Sequence, residues 1–245
     1  MLAYRVNPST LFGIDPEFYR VVKMIADNLK SVTQRIASAC EKIGRPPESV
    51  ELVCVTKEAT PEQMEEAIGL GVKIFGENRV QDAIVKHKAI GDRAAWHLVG
   101  HLQTNKAKDA VRIFSLIHSV DSVRVTEEID KEAGKLGKIQ DILVQVNVSG
   151  EKTKFGISPD DLLPFLKVAA LCPNINIKGL MTIAPEADSA EIVRPYFREL
   201  RELRDSINTI LTKRYSILSM GMTNDFEAAI EEGSNMVRIG RAIFK

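Results

Sequence analysis

Apolar, β-branched runs alternate with amphipathic helical segments eight times along this chain, and that rhythm constrains its fold more than any other feature. Candidate strands lie at 50–56, 72–75, 95–99, 114–118, 141–147, 175–181, 216–218 and 235–239. Helical segments between them fall near 60–70, 78–90, 104–111, 122–136, 159–171, 189–212 and 224–231. The run Ile142-Leu143-Val144-Gln145-Val146-Asn147-Val148 suits a strand covered on both faces, as strands of parallel sheets are. Eight such repeats predict an α/β fold, a (β/α)8 TIM barrel; a doubly wound open sheet is the alternative, and the count of eight favours closure.

An additional helix precedes the first strand. Asp15-Pro16-Glu17 reads as its cap and first turn, and apolar residues at Phe18, Val21, Val22, Ile25, Leu29, Val32, Ile36 and Ala39 form one buried stripe. Gly44, Pro46 and Pro47 end it. Residues 1–14 have no clear period and read as a loosely ordered arm; residues 15–245 read as a single domain, without linker or composition shift. Further helix starts are Thr60-Pro61-Glu62, Ser158-Pro159 with Asp161, and Asp188 with Glu191, while Gly71 and Gly137 sit where helix ends favour a left-handed residue.

In a barrel of this kind chemistry gathers where strands give way to loops. The polar residues follow that geography: strand one ends in Thr56-Lys57, strand two in Gly76-Glu77-Asn78, strand four in His118-Ser119, strand seven in Ser219 and strand eight in Arg238-Ile239-Gly240. Lys57 closes the apolar run 50–56, and an ammonium ending a buried strand is costly unless used. Burial lowers an amine's pKa and makes it a nucleophile toward carbonyls; the bland alternative is a lysine reaching out into solvent. Two glycine-bearing loops, Ser219-Met220-Gly221-Met222-Thr223 and Arg238-Ile239-Gly240-Arg241, allow close backbone approach to an anion at the usual phosphate position of such barrels. A carbonyl-trapping lysine beside a phosphate cradle is what a pyridoxal 5′-phosphate (PLP) site needs.

Other chemistries are disfavoured. Lysine plus arginine and aspartate plus glutamate number 33 each, so the formal net charge is zero, and no basic cluster or aromatic run suggests a nucleic-acid surface. No apolar stretch suits a membrane span and no secretory signal begins the chain. Three widely spaced cysteines, Cys40, Cys54 and Cys172, point to neither disulfides nor zinc, and a cytoplasmic setting is the simplest reading. His97 and His101 are four apart, but on a strand and its loop that spacing does not make a metal pair.

From about residue 20 to the end the chain resembles the YggS/PROSC family of pyridoxal phosphate homeostasis proteins. The resemblance rests on Val53-Cys54-Val55-Thr56-Lys57, Phe75-Gly76-Glu77-Asn78-Arg79-Val80-Gln81, Trp96 through Lys106, Gly179-Leu180-Met181-Thr182, Ser219 through Thr223, and Val237 through Phe244. It implies a single barrel of the alanine racemase N-terminal-domain type. By that resemblance Lys57 carries PLP as a Schiff base, and Ser219 with the Gly240-Arg241 backbone holds the phosphate, the loop Met220-Gly221 and Thr223 adding to it. Arg238 faces the pyridine nitrogen and Asn78 lines the ring, with Met181 beside it. Two positions depart from the family pattern: Arg241 replaces a small hydroxyl residue, and Arg79 replaces an aromatic.

A guanidinium cannot accept a proton, so opposite the ring nitrogen it favours an unprotonated pyridine, a poor electron sink. The first expectation is therefore a non-catalytic, monomeric carrier that buffers PLP and supplies apo-enzymes transiently. The alternatives are a weak PLP-dependent amino-acid racemase, which needs a second acid/base, and a PLP-free barrel that aldolises a phosphorylated sugar through Lys57.

Overall fold

The computed structural model describes residues 16–212 and 214–245, with backbone alone for 16–22. The expected arm 1–14, the cap Asp15 and the side chains of Phe18, Val21 and Val22 lie outside the described residues.

Eight parallel strands close on themselves in sequence order. They are β1 (Glu51–Val55), β2 (Ile74–Glu77), β3 (Ala95–Leu98), β4 (Leu116–Val120), β5 (Gln140–Gln145), β6 (Ile175–Met181), β7 (Ile217–Ser219) and β8 (Met236–Ile239). Closure is made by β8 against β1, in register from Glu51 opposite Met236 to Cys54 opposite Ile239. The helices are α1 (Pro16–Lys42), α2 (Pro61–Gly69), α3 (Val80–Ile90), α4 (Ala107–Ile113), α5 (Val123–Lys135), α6 (Pro159–Ala169), α7 (Ala190–Ile210), α8 (Phe226–Glu231) and α9 (Arg241–Phe244). All eight expected strands are present, and the open-sheet alternative is excluded. Among the described residues no helix is long and apolar enough to cross a membrane.

The helix starts follow their local signals. Thr60 and Gln63 form a reciprocal capping box, and the Ser158 hydroxyl accepts from the Asp161 amide. For α7 the cap is Ser189, which accepts from the Glu191 amide, and not Asp188 as expected. Ile25, Leu29, Val32, Ile36 and Ala39 of α1 are buried as the stripe predicts. This helix runs beside α2, α8 and α9, and Asn28 donates to the carbonyls of Ile243 and Lys245 at 3.1 and 3.2 Å, tying the end of the chain to it.

Two apolar layers result. The larger fills the space between strands and helices; a smaller one, built from Val53, Val99, Leu116, Leu143, Met181 and Met236, fills the barrel interior. Two strand boundaries move against expectation. Both β2 and β4 run two residues further than the sequence suggests, which draws Glu77 and Ser119 from the loops into the wall.

Candidate functional site

A cavity of about 420 Å³ opens where β1, β2, β7 and β8 end. Six of the ten expected site residues line it: Lys57, Asn78, Thr223, Arg238, Gly240 and Arg241. They come from four separate strand ends, as the barrel geometry requires. The β5–α6 loop adds Lys154, and residues 183–187 after β6 complete the wall.

Lys57 does not have the burial first expected of it. Its side chain is 46% exposed and stands at the cavity rim, with the Glu58 carboxylate 3.9 Å from Nζ. Glu58 is also paired with Lys245, whose hydrogen bond holds the Glu58 carboxyl below the usual range. What is buried is the support behind Lys57. Glu77 Oε1 accepts from the Thr56 hydroxyl at 2.6 Å and from Lys86 Nζ at 2.7 Å, and Lys86 also donates to the Thr56 carbonyl at 2.5 Å. This ion pair, with the Glu77 side chain fully buried, clamps the residues immediately before Lys57 and Asn78.

Arg238 is the buried charge of the site, at 4% exposure. Its Nη1 donates to Ser219 Oγ at 2.7 Å and its Nη2 to the Thr182 carbonyl at 2.8 Å. Both acceptors are neutral. Burial pushes the guanidinium down to about 10, with the Asp225 charge opposing the shift. Asp225, also on the cavity wall, turns its Oδ1 back to accept from the Met222 amide at 2.6 Å, and burial raises its carboxyl above the usual range. A cation this deep, hydrogen-bonded to neutral groups, leaves the site suited to an anionic or electron-rich ligand.

The loop backbones explain two glycines. Gly221 has φ +95°, and a Cβ there would stand 2.7 Å from the Ala229 Cβ. At Gly240 a Cβ would lie 2.7 Å from the Val55 carbonyl oxygen, so only glycine lets β8 end this close to β1.

Four expected residues stand off the cavity wall. Ser219 is fully buried beneath Arg238, its hydroxyl engaged there rather than offered to the cavity. Met181 packs in the barrel interior, Met220 in the outer layer, and Gly221 shapes the turn. Of the two departures from the family pattern, Arg241 lines the cavity, whereas Arg79 is exposed at the start of α3 and does not. Sequence reasoning missed Lys154, whose buried Nζ has no hydrogen-bond partner among the described residues and lies 3.6 Å from Glu151. Its signal was a lysine in the long connection after β5, which no periodicity singles out. His97 sits inside the barrel and His101 pairs with Asp121 at 3.2 Å. Among the described residues no group of three or more potential ligands could hold a metal.

The alanine racemase N-terminal domain family matches residues 27–245. A pyridoxal phosphate homeostasis protein of Aquifex aeolicus is 44% identical over 219 residues, covering 89% of this chain and 96% of the relative. The chain belongs to the pyridoxal phosphate homeostasis protein family. A member from Escherichia coli is 36% identical over 228 residues, covering 90% and 95% of the two chains. PipY of Synechococcus elongatus, a structure with PLP bound, superposes with a TM-score of 0.79 at 35% identity, covering 90% of this chain and all of that one. An alanine racemase of Clostridium difficile shares the fold at 17% identity and a TM-score of 0.69; this chain spans 55% of its length.

Proposed function

We propose that this protein binds PLP reversibly and acts in its intracellular homeostasis as a carrier, without efficient catalysis. The observation that carries the reading is the convergence of a lysine amine and a buried, neutrally partnered arginine on one cavity. PLP supplies an aldehyde that a primary amine traps reversibly. Lys57 is the amine for that role, at the mouth of the barrel and clamped from behind by Glu77 and Lys86. Thr223, the Gly240 backbone and Arg241 hold the phosphate, with the turn Met220-Gly221 shaping their loop. Arg238 meets the ring nitrogen and Asn78 flanks the ring. Because a guanidinium donates and does not accept, Arg238 withholds the proton that would make the ring a strong electron sink. The names of the relatives and the ligand in PipY support the reading. The carrier works as a cytoplasmic monomer that passes its cofactor transiently to apo-enzymes; its free thiols suit that compartment.

Borohydride reduction of PLP-loaded protein, followed by intact mass and peptide mapping, tests the attachment. One pyridoxyl group on Lys57, lost in Lys57→Ala, is expected. Label retained by Lys57→Ala, or mapped to Lys154 in the unaltered protein, refutes it. Incubation with single L-amino acids should leave their chirality unchanged; sustained turnover dependent on Lys57 would establish the racemase reading instead.

A further inference from the structure

Below the cavity a line of buried polar side chains crosses the barrel interior. From Arg238 on β8 it passes to Ser219 on β7, then to His118 on β4, whose Nδ1 lies 2.9 Å from Ser219 Oγ. His118 Nε2 lies 3.1 Å from His97 Nδ1 on β3, the two rings 5.1 Å apart between centroids. Ser219 and His118 are fully buried and His97 is 6% exposed.

Burial keeps both rings neutral: His97 is pushed down to about 4, and His118 lies well below its ordinary value. Each neutral ring has one N–H and one bare nitrogen. One arrangement gives each contact in the line a donor and an acceptor and also gives the Ser219 proton a partner. Arg238 donates to Ser219, the Ser219 hydroxyl donates to His118 Nδ1, and His118 Nε2–H donates to His97 Nδ1. The serine hydroxyl could otherwise settle in any staggered orientation. With His118 present it has one recipient for its proton, which leaves its lone pairs facing Arg238. Without it, a buried hydroxyl loses its acceptor, and the guanidinium keeps only the Thr182 carbonyl as a fixed partner.

We propose that His118 is a positioning residue for cofactor binding: through Ser219 it fixes the orientation of the Arg238 guanidinium in the cavity wall. The proposal rests on the PLP reading above and adds a residue that never touches the ligand. His97 closes the line and holds the His118 tautomer.

The test is a double-mutant cycle on PLP affinity, followed by absorbance titration of wild type, His118→Leu, Arg238→Gln and the pair, with thermal midpoints recorded alongside. Loss of one oriented hydrogen bond in a buried site predicts about fivefold to tenfold weaker binding in His118→Leu. In the Arg238→Gln background the same change should leave affinity unaltered, because its only route to the ligand is gone. His118→Asn, whose amide oxygen can take the serine proton, should recover most of the affinity. A packing defect would lower the midpoint and the affinity alike in both backgrounds, and that equality would overturn the proposal; so would wild-type affinity in His118→Leu. Failure of the underlying reading is separate: wild-type protein that does not take up PLP at all, or Lys57→Ala with an unchanged PLP spectrum, removes both.

Discussion

Mild acid should destabilise this protein from inside its barrel, because the His97 and His118 imidazoles take up protons more readily in the unfolded chain. Burial lowers His97 from 6.5 to about 4 in the native state. Between those values the unfolded chain binds the extra proton, so stability is full above pH 6.5 and falls as pH drops toward 4. For His97 alone the loss between pH 7 and pH 5 is about 2 kcal/mol. In a chain of this size that lowers the thermal midpoint by roughly 4–8 °C. His118 is shifted in the same direction and adds to the slope. The assay is thermal or urea unfolding across pH 5–7.5 in wild type and His97→Gln, which cannot take up that proton. The variant should start less stable at pH 7.5, having lost its hydrogen bond to His118, yet lose clearly less between pH 7 and pH 5. Equal losses in the two proteins over that interval would refute the reasoning.

Lys86→Met strips the fully buried Glu77 of its cation and should cost about 3–5 kcal/mol, while Lys86→Met with Glu77→Leu should regain most of it. Unfolding midpoints decide, and a double variant no more stable than the single one contradicts the clamp. Gly240→Ala places a methyl 2.7 Å from the Val55 carbonyl oxygen and should cost about 1–3 kcal/mol, with weaker PLP uptake in a titration. Iodoacetamide on native protein at pH 8 should modify the partly exposed Cys172 and spare Cys54, whose thiol burial pushes up to about 12. Mass mapping that finds Cys54 alkylated before unfolding goes against the closed outer layer.

Periodicity and local start and stop signals located the strand and helix units, and the count of eight favoured a barrel over an open sheet. Eight apolar runs of strand length, with seven helical segments between them, leave few ways to bury both faces of every strand, and closure is the one adopted. The same logic located Lys57, Asn78, Arg238 and Gly240, because strand ends of a parallel barrel must converge on one mouth. What the sequence could not reach was register. Side chains alternate faces with a period of two, so a small boundary error decides whether a residue faces a loop or the interior. His118 falls at the end of the expected strand 114–118, but only the closed barrel, with the register shift of β4 between Ile117 and Val120, makes it the partner of Ser219 on the far side. Ser219, expected as a phosphate ligand, ends β7 with its hydroxyl accepting from Arg238, a contact between neighbouring strands that no local pattern displays. Lys57 shows the complement: its position followed from the strand, but its 46% exposure, the pairing of the adjacent Glu58 with Lys245 and the Lys86 bond to the Thr56 carbonyl belong to the closed fold.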